Sequence, residues 1–295
     1  MTTPISIDVK DSNEVIRATA ATDDNDTLIK DFLRKIGLSA TLIKKVKYGG
    51  VSVNGTAVTM RYRLQANDEI EVLLPEEASE NVYPKNLPLT VLYEDSQLIV
   101  VDKPKKMPTH PSRANSLPTL AEAVAYYIGK SFVFRAVNRL DRDTSGIVLI
   151  AKNQFAAARL AEDMKNGKFE KYYTALLSKT PDARCGIIDA PIAREEEGSI
   201  IRVVRDDGKR AVTEYKITKV LPDGRAVANI RLHTGRTHQI RVHFAYIGAP
   251  LYADFLYGER IEGKDYELRC SRLVFPHPVS KETIDIDINK SKKAE

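Results

Sequence analysis

Apolar and polar positions follow two different rhythms along this chain, and the change falls near residue 75. Before it, the stretch 27–36 repeats apolar residues at Leu28, Phe32 and Ile36, the spacing of one helix face. Gly37 ends that helix, and Ser39 is placed to cap a second one carrying Leu42, Ile43 and Val46, stopped by Gly49 and Gly50. The runs 51–53 and 57–59 flank Asn54-Gly55, a two-residue hairpin signal, and 69–73 alternates in and out as a further strand. Two short helices on a small hairpin sheet are therefore expected over residues 15–75. A loosely ordered tail at 1–14 precedes them, and a Pro/Glu-rich linker at 76–88 follows.

From residue 89 short strands dominate. The runs 91–93 and 98–102 read as a hairpin, and a helix begun by Ser116 and Pro118 carries Leu120, Val124 and Ile128 on one face. Strand-like runs follow at 132–137 and 147–151, and a helix from Ala156 to Met164 closes at Gly167. Further strands are expected at 172–177, 200–204, 211–220 and 226–232. Thr237 is placed to cap a helix with Ile240, Phe244 and Ile247 apolar, and Ile284, Ile286 and Ile288 alternate in a last strand. Strands joined by turns outnumber strand-helix-strand units. Residues 89–290 are thus expected to form an α+β domain, a mixed, largely antiparallel central sheet with flanking helices, ahead of a tail at 291–295.

At 295 residues and 43% hydrophobic, the chain has room for two domains and enough apolar material to exclude whole-chain disorder. Apolar runs such as 147–151 fall far short of the ~20 residues of a membrane-spanning helix. No charged-then-apolar leader opens the sequence, and Cys185 and Cys270 are its only cysteines. A cytoplasmic protein with no membrane partner and no disulfide framework is expected. The distribution of charge adds more. Residues 1–27 carry two basic and six acidic side chains, whereas 28–75 carry eight basic and four acidic ones. Lys44, Lys45, Lys47, Arg61 and Arg63 read either as a phosphate-contacting face or as a solvated basic surface.

Several chemistries are missing. There is no GxGxxG, and Gly129-Lys130-Ser131 has Val124 where a phosphate loop needs glycine. His238 and His243, five apart, share neither a helix face nor a strand face, so no metal site is expected. Two polar stretches stand out instead. One is the loop 138–146, with two arginines and two aspartates between apolar runs. The other is 232–243, a glycine turn running into a donor-rich helix start suited to phosphate or carboxylate.

The first of these, Arg139 to Gly146, resembles the catalytic motif of the RluA-type pseudouridine synthases. The hairpin from Glu94 to Pro104, the strand from Lys171 to Ala175, the block from Thr234 to His243 with Asp254 and Tyr257, and Leu273 with Phe275 resemble further family blocks in the same order. Residues 15–75 resemble the small RNA-binding domain first described in bacterial ribosomal protein S four. The resemblance implies the pseudouridine synthase fold and an isomerase that turns uridines of ribosomal or transfer RNA into pseudouridine, as a monomer, with no cofactor and no metal. It assigns Asp141 as nucleophile on the anomeric carbon or as base on the adjacent sugar proton. Arg241 becomes the positive partner of Asp141, and Tyr173 the platform stacked on the uracil. Arg139 supports the extruded nucleotide, and Arg236 and His238 join the RNA contacts. For Asp143 the expectation is local turn bonding with Thr144 and Ser145 rather than a glycosidase-like pair with Asp141. The sequence departs from the family at Asn138, where His is usual, at Lys106, and at Arg269-Cys270. These departures frame the alternative of a non-catalytic RNA-binding protein derived from such an enzyme. The retention of Asp141, Tyr173 and Arg241 weighs against it.

Overall fold

The computed structural model describes residues 5–10, 13–75, 82–111, 117–129 and 132–291. The first unit builds as its periodicity predicts, with an addition. Helices α1 (Ile29–Lys35) and α2 (Ala40–Val46) bury Phe32, Leu33, Leu42 and Val46. Ser39 caps α2 by accepting a bond from the Leu42 N–H at 3.3 Å. Asn54 and Gly55 both adopt positive φ, at 49° and 78°, as the mirror-image hairpin turn requires. The opening residues, expected as a loose tail, instead give strand β1 (Ile5–Lys10), paired antiparallel along β2 (Asn13–Thr19). Ile5 and Ile7 alternate with polar neighbours and lie against the unit's core, and that burial orders them. With β3 (Val51–Val53), β4 (Thr56–Ala57) and β5 (Glu69–Leu74) the sheet runs β1-β2-β5-β3-β4. The expected linker and C-terminal tail lie at 76–81 and 292–295 outside the described residues, as does Ser116.

The larger unit is one ten-stranded sheet. Its elements are β6 (Thr90–Glu94), β7 (Leu98–Lys103), α3 (Leu120–Ile128), β8 (Arg135–Ala136), β9 (Ser145–Ala151), α4 (Gln154–Lys165), β10 (Glu170–Leu177) and β11 (Cys185–Asp189). There follow the separate ribbon β12 (Ile192–Arg194) and β13 (Arg202–Val204), then β14 (Val212–Val220), β15 (Ala226–Leu232), α5 (Gln239–Tyr246), β16 (Leu268–Pro276), β17 (Thr283–Asp287) and α6 (Ile288–Ser291). The strand order is β11-β14-β15-β10-β16-β9-β7-β6, with β17 on β16 and β8 on β9. Among the described residues β9 and β16 form the parallel pair, and the other pairs are antiparallel. Every residue of β9 is buried, as a central strand covered on both faces demands. At its start Gly146 has φ 112°, and a Cβ there would run into the Cys270 carbonyl of β16. Helix α3 starts at Thr119, whose side chain and Glu122 form a reciprocal capping box, rather than at Ser116.

The two units share a wall. Phe155 of α4 is fully buried inside the core of the small unit. The Glu14 carboxylate accepts the Gln154 N–H at the start of α4 and lies 3.5 Å from Arg135 of β8. Lys45 reaches Gln154 Oε1 at 2.9 Å, and Gln154 Nε2 donates to the Pro75 carbonyl.

Candidate active site

The loop between β8 and β9 carries Asp141, and buried groups pin it from beneath. Asn138 donates to the Ile147 carbonyl at 3.0 Å and accepts the Leu149 N–H at 2.8 Å, so this departure from the family is a tether onto β9. Thr109 Oγ1 donates to the Leu140 carbonyl at 2.9 Å. Lys103, at the end of β7 and wholly buried, donates from Nζ to the carbonyls of Pro104, Met107 and Arg142. Burial pulls its ammonium down to about 8, against the opposing fields of Asp143, Asp141 and Asp102. In sequence Lys103 reads only as a strand end. A lysine, after Asp102, closing the apolar run 98–101 is the available signal.

This loop, β10, β15 and the turn before α5 enclose a cleft of about 590 Å³. Asp141, Tyr173, Arg241, Arg139, Arg236 and His238 all line it, so the expected site residues of the larger unit come together. The Asp141 carboxylate is 35% exposed, open to a ligand yet within 3.9 Å of His238 Nε2. Tyr173 is buried in the wall. Burial, with Cys270 and Asp141 beside it, pushes its phenol well above the ordinary value. Tyr172 turns to the other face of β10, where its hydroxyl meets Glu170 and the guanidinium groups of Arg231 and Arg272 lie over its ring. Lys171 shares the face of Tyr173 and also lines the cleft. Burial pulls its ammonium below the ordinary lysine value, with Cys270 opposing and Arg236 reinforcing the shift.

Three sequence expectations are revised here. Arg241 does not pair directly with Asp141. It is buried and makes a two-pronged pair with Asp254, Nε to Oδ2 at 2.8 Å and Nη2 to Oδ1 at 2.7 Å. The rings of Tyr266 and Tyr257 flank its guanidinium at 4.5 and 4.9 Å. Burial opposes its charge, but Asp254, Tyr266 and Asp141 more than restore it. Its direct partner is therefore Asp254, and Asp141 feels its field. Asp143 bonds neither Thr144 nor Ser145; it pairs with the Arg142 guanidinium at 2.9 and 2.8 Å and does not line the cleft. Thr237 does not cap α5. His238 occupies the cap position in the left-handed region, φ 57°, and the buried Gln239 side chain collects the Arg236 N–H and the Thr234 hydroxyl. A β-branched residue such as Thr237 would be strained at that φ.

On the small unit, Lys44, Lys47 and Arg61 stand exposed. Lys45 is drawn to Gln154, and Arg63 pairs with Asp26 at 2.9 Å. No group of three or more His, Cys, Asp or Glu side chains among the described residues could hold a metal ion, and none of their helices is long and apolar enough to cross a membrane.

Comparison with known proteins gives a consistent result. Residues 97–246 match the family described as RNA pseudouridylate synthase. An RNA pseudouridine synthase of Bacillus subtilis, YjbO, is 38% identical over 263 residues, covering 87% of this chain and 93% of its own. Ribosomal large subunit pseudouridine synthase D of Pasteurella multocida is 37% identical over 214 residues, 71% of this chain and 65% of its own. Among solved structures, human RNA pseudouridylate synthase domain containing 1 is similar with a TM-score of 0.57 at 25% identity, over 69% of this chain and 84% of that one.

Proposed function

Because the chain belongs to the RNA pseudouridylate synthase family, whose members are isomerases, we propose that its cleft converts uridine in ribosomal RNA to pseudouridine with Asp141 as the reacting carboxylate. The observation that carries this reading is one arrangement. A half-exposed aspartate lies at the mouth of a cleft walled by a buried tyrosine, with a buried, permanently charged arginine behind it.

The reaction breaks the glycosidic bond, turns the uracil and rejoins it through carbon five. It needs an ionised carboxylate, either to attack the anomeric carbon or to take the adjacent sugar proton. When RNA covers the cleft, water leaves Asp141 and the charged form loses solvation. The positive charges of Arg241 and Lys103 then face the carboxylate, and both groups are held by bonds that do not have to reorganise. The target base must leave its stack at a cost of roughly a few kcal/mol. Arg139, exposed on the rim two residues from Asp141, is placed to support it, and the Tyr173 ring to receive it. A large-subunit ribosomal substrate is favoured over transfer RNA because it is what the name of the Pasteurella relative states for that protein. The small unit grips the RNA through Lys44, Lys47 and Arg61, in the manner of the ribosomal-protein domain it resembles, and the protein works as a cytoplasmic monomer.

The test is to incubate wild-type protein and Asp141→Asn with unmodified ribosomal and transfer RNA and map carbodiimide-stable adducts. Adducts at discrete ribosomal uridines with wild type, and none with the variant, are expected. Normal turnover by Asp141→Asn would remove Asp141 from the reaction, and adducts confined to transfer RNA would replace the substrate.

A further inference from the structure

A line of polar contacts runs from Arg202 through Tyr257 and His238 to Asp141 in the cleft wall. The Tyr257 hydroxyl accepts the Arg202 backbone N–H at 2.9 Å. Its own proton is then available for His238 Nδ1, at 2.7 Å. Burial raises the Tyr257 phenol above its ordinary value, so the hydroxyl remains a donor. An Nδ1 that accepts leaves the neutral ring with its proton on Nε2. That nitrogen faces Asp141 Oδ2 at 3.9 Å.

The ring's setting favours the neutral form. Burial pulls the imidazole below its ordinary pKa; Asp141 and Asp254 oppose the shift, and Arg241 and Arg202 add to it. The backbone carries a cost to aim the ring, since His238 is a non-glycine residue at φ 57°. A phosphate-contacting role fits this geometry poorly, because Nε2 points at a carboxylate that would repel phosphate.

We propose that His238 is a positioning residue that orients Asp141 through a neutral Nε2–H donor, with Tyr257 fixing the tautomer. This rests on Asp141 being the reacting carboxylate. The gap closes to hydrogen-bond length as RNA expels water. One carboxylate oxygen is then held while the other stays free to react, and the donor does not neutralise the charge as an imidazolium would.

Long-range proton–nitrogen NMR spectra of protein carrying labelled histidine, assigned with His238→Phe, read the tautomer without reference to activity. At pH 7 the expected result is a neutral ring protonated on Nε2, moving toward the Nδ1–H form in Tyr257→Phe. A charged ring, or a proton on Nδ1 in the wild type, overturns the proposal. In single-turnover assays at saturating RNA, His238→Phe should be slower by about 10²-fold with RNA affinity unchanged. His238→Gln, which keeps an N–H at similar reach, should recover most of that loss. A glutamine variant as slow as the phenylalanine one overturns the donor role. Lost affinity with an unchanged rate restores phosphate contact in its place. Should Asp141→Asn turn over normally, the underlying assignment of the site fails while the measured tautomer still stands, so the two failures are distinguishable.

Discussion

Replacing Arg241 with methionine should destabilise the larger unit sharply, through Asp254. The Asp254 side chain is 0% exposed and that of Arg241 4%, so neither charge has water to turn to. With the guanidinium gone, the carboxylate keeps, among the described residues, the backbone N–H groups of Leu256 at 3.1 Å and Tyr257 at 3.3 Å. Breaking a buried pair on one side costs about 3–5 kcal/mol, because the remaining charge is stranded. For a domain of this size about 1 kcal/mol moves the melting midpoint by roughly 2–4 °C, so a fall of about 6–20 °C is expected. The assay is thermal unfolding at pH 7 followed by circular dichroism, since the chain has no tryptophan to report by fluorescence. The double variant Arg241→Met with Asp254→Leu removes both charges and should regain at least half of the lost stability, but none of the activity. A loss under about 1 kcal/mol for the single variant would refute the reasoning, for Asp254 would then not be a stranded charge.

Four further outcomes are expected. Tyr173→Phe should bind RNA nearly as well as wild type but turn over roughly 10²–10⁴-fold more slowly if the hydroxyl moves a proton, while Tyr172→Phe on the opposite face stays near wild type in the same single-turnover assay. Gly146→Ala should reduce soluble yield and melting temperature, because the left-handed backbone alone costs about 1–2 kcal/mol and the Cys270 carbonyl occupies the methyl position. Lys103 holds its proton less tightly when folded, at about 8, than an ordinary lysine at about 10.4. Over that window the unfolded chain binds more protons, so this group makes the fold gain stability as pH rises, and urea midpoints should show the gain in wild type but not in Lys103→Met. Phe155→Ala, at a buried phenylalanine of the shared wall, should cost about 3–5 kcal/mol locally and open the small unit to limited proteolysis while the larger unit stays resistant.

Local periodicity located most of the framework. The helix spacing at Phe32 and Ile36, the Asn54-Gly55 turn and the alternation at Tyr172 and Tyr173 are each set by neighbours in sequence, and each stands where the pattern put it. What the sequence concealed lies between distant residues. The pairing of Arg241 with Asp254 depends on how a loop folds back over α5. The three carbonyls around Lys103 come from two separate segments. Likewise β1 is ordered by the β2 edge beside it and by burial of Ile5 and Ile7, which charge counting along an acidic tail does not register. Threonine is the commoner cap, so the sequence points to Thr237 for α5, whereas a strained histidine takes that position and Gln239 gathers the donors.

The shared wall between the units has a geometric consequence. Arg135 lies in the strand that leads into the Asp141 loop, and Gln154 and Phe155 open the helix that follows the next strand. Both are held by the small unit, one through Glu14 and the other through Glu14 and the apolar interior. The assembly thus resembles a caliper, with Lys44, Lys47 and Arg61 on one jaw and Asp141 on the other, set to a fixed span. Under the function proposed above, an RNA held by the first jaw would present to the second only uridines at that span. Choice of target would then be a measurement of length, and loosening Phe155 would be expected to widen the set of uridines within reach.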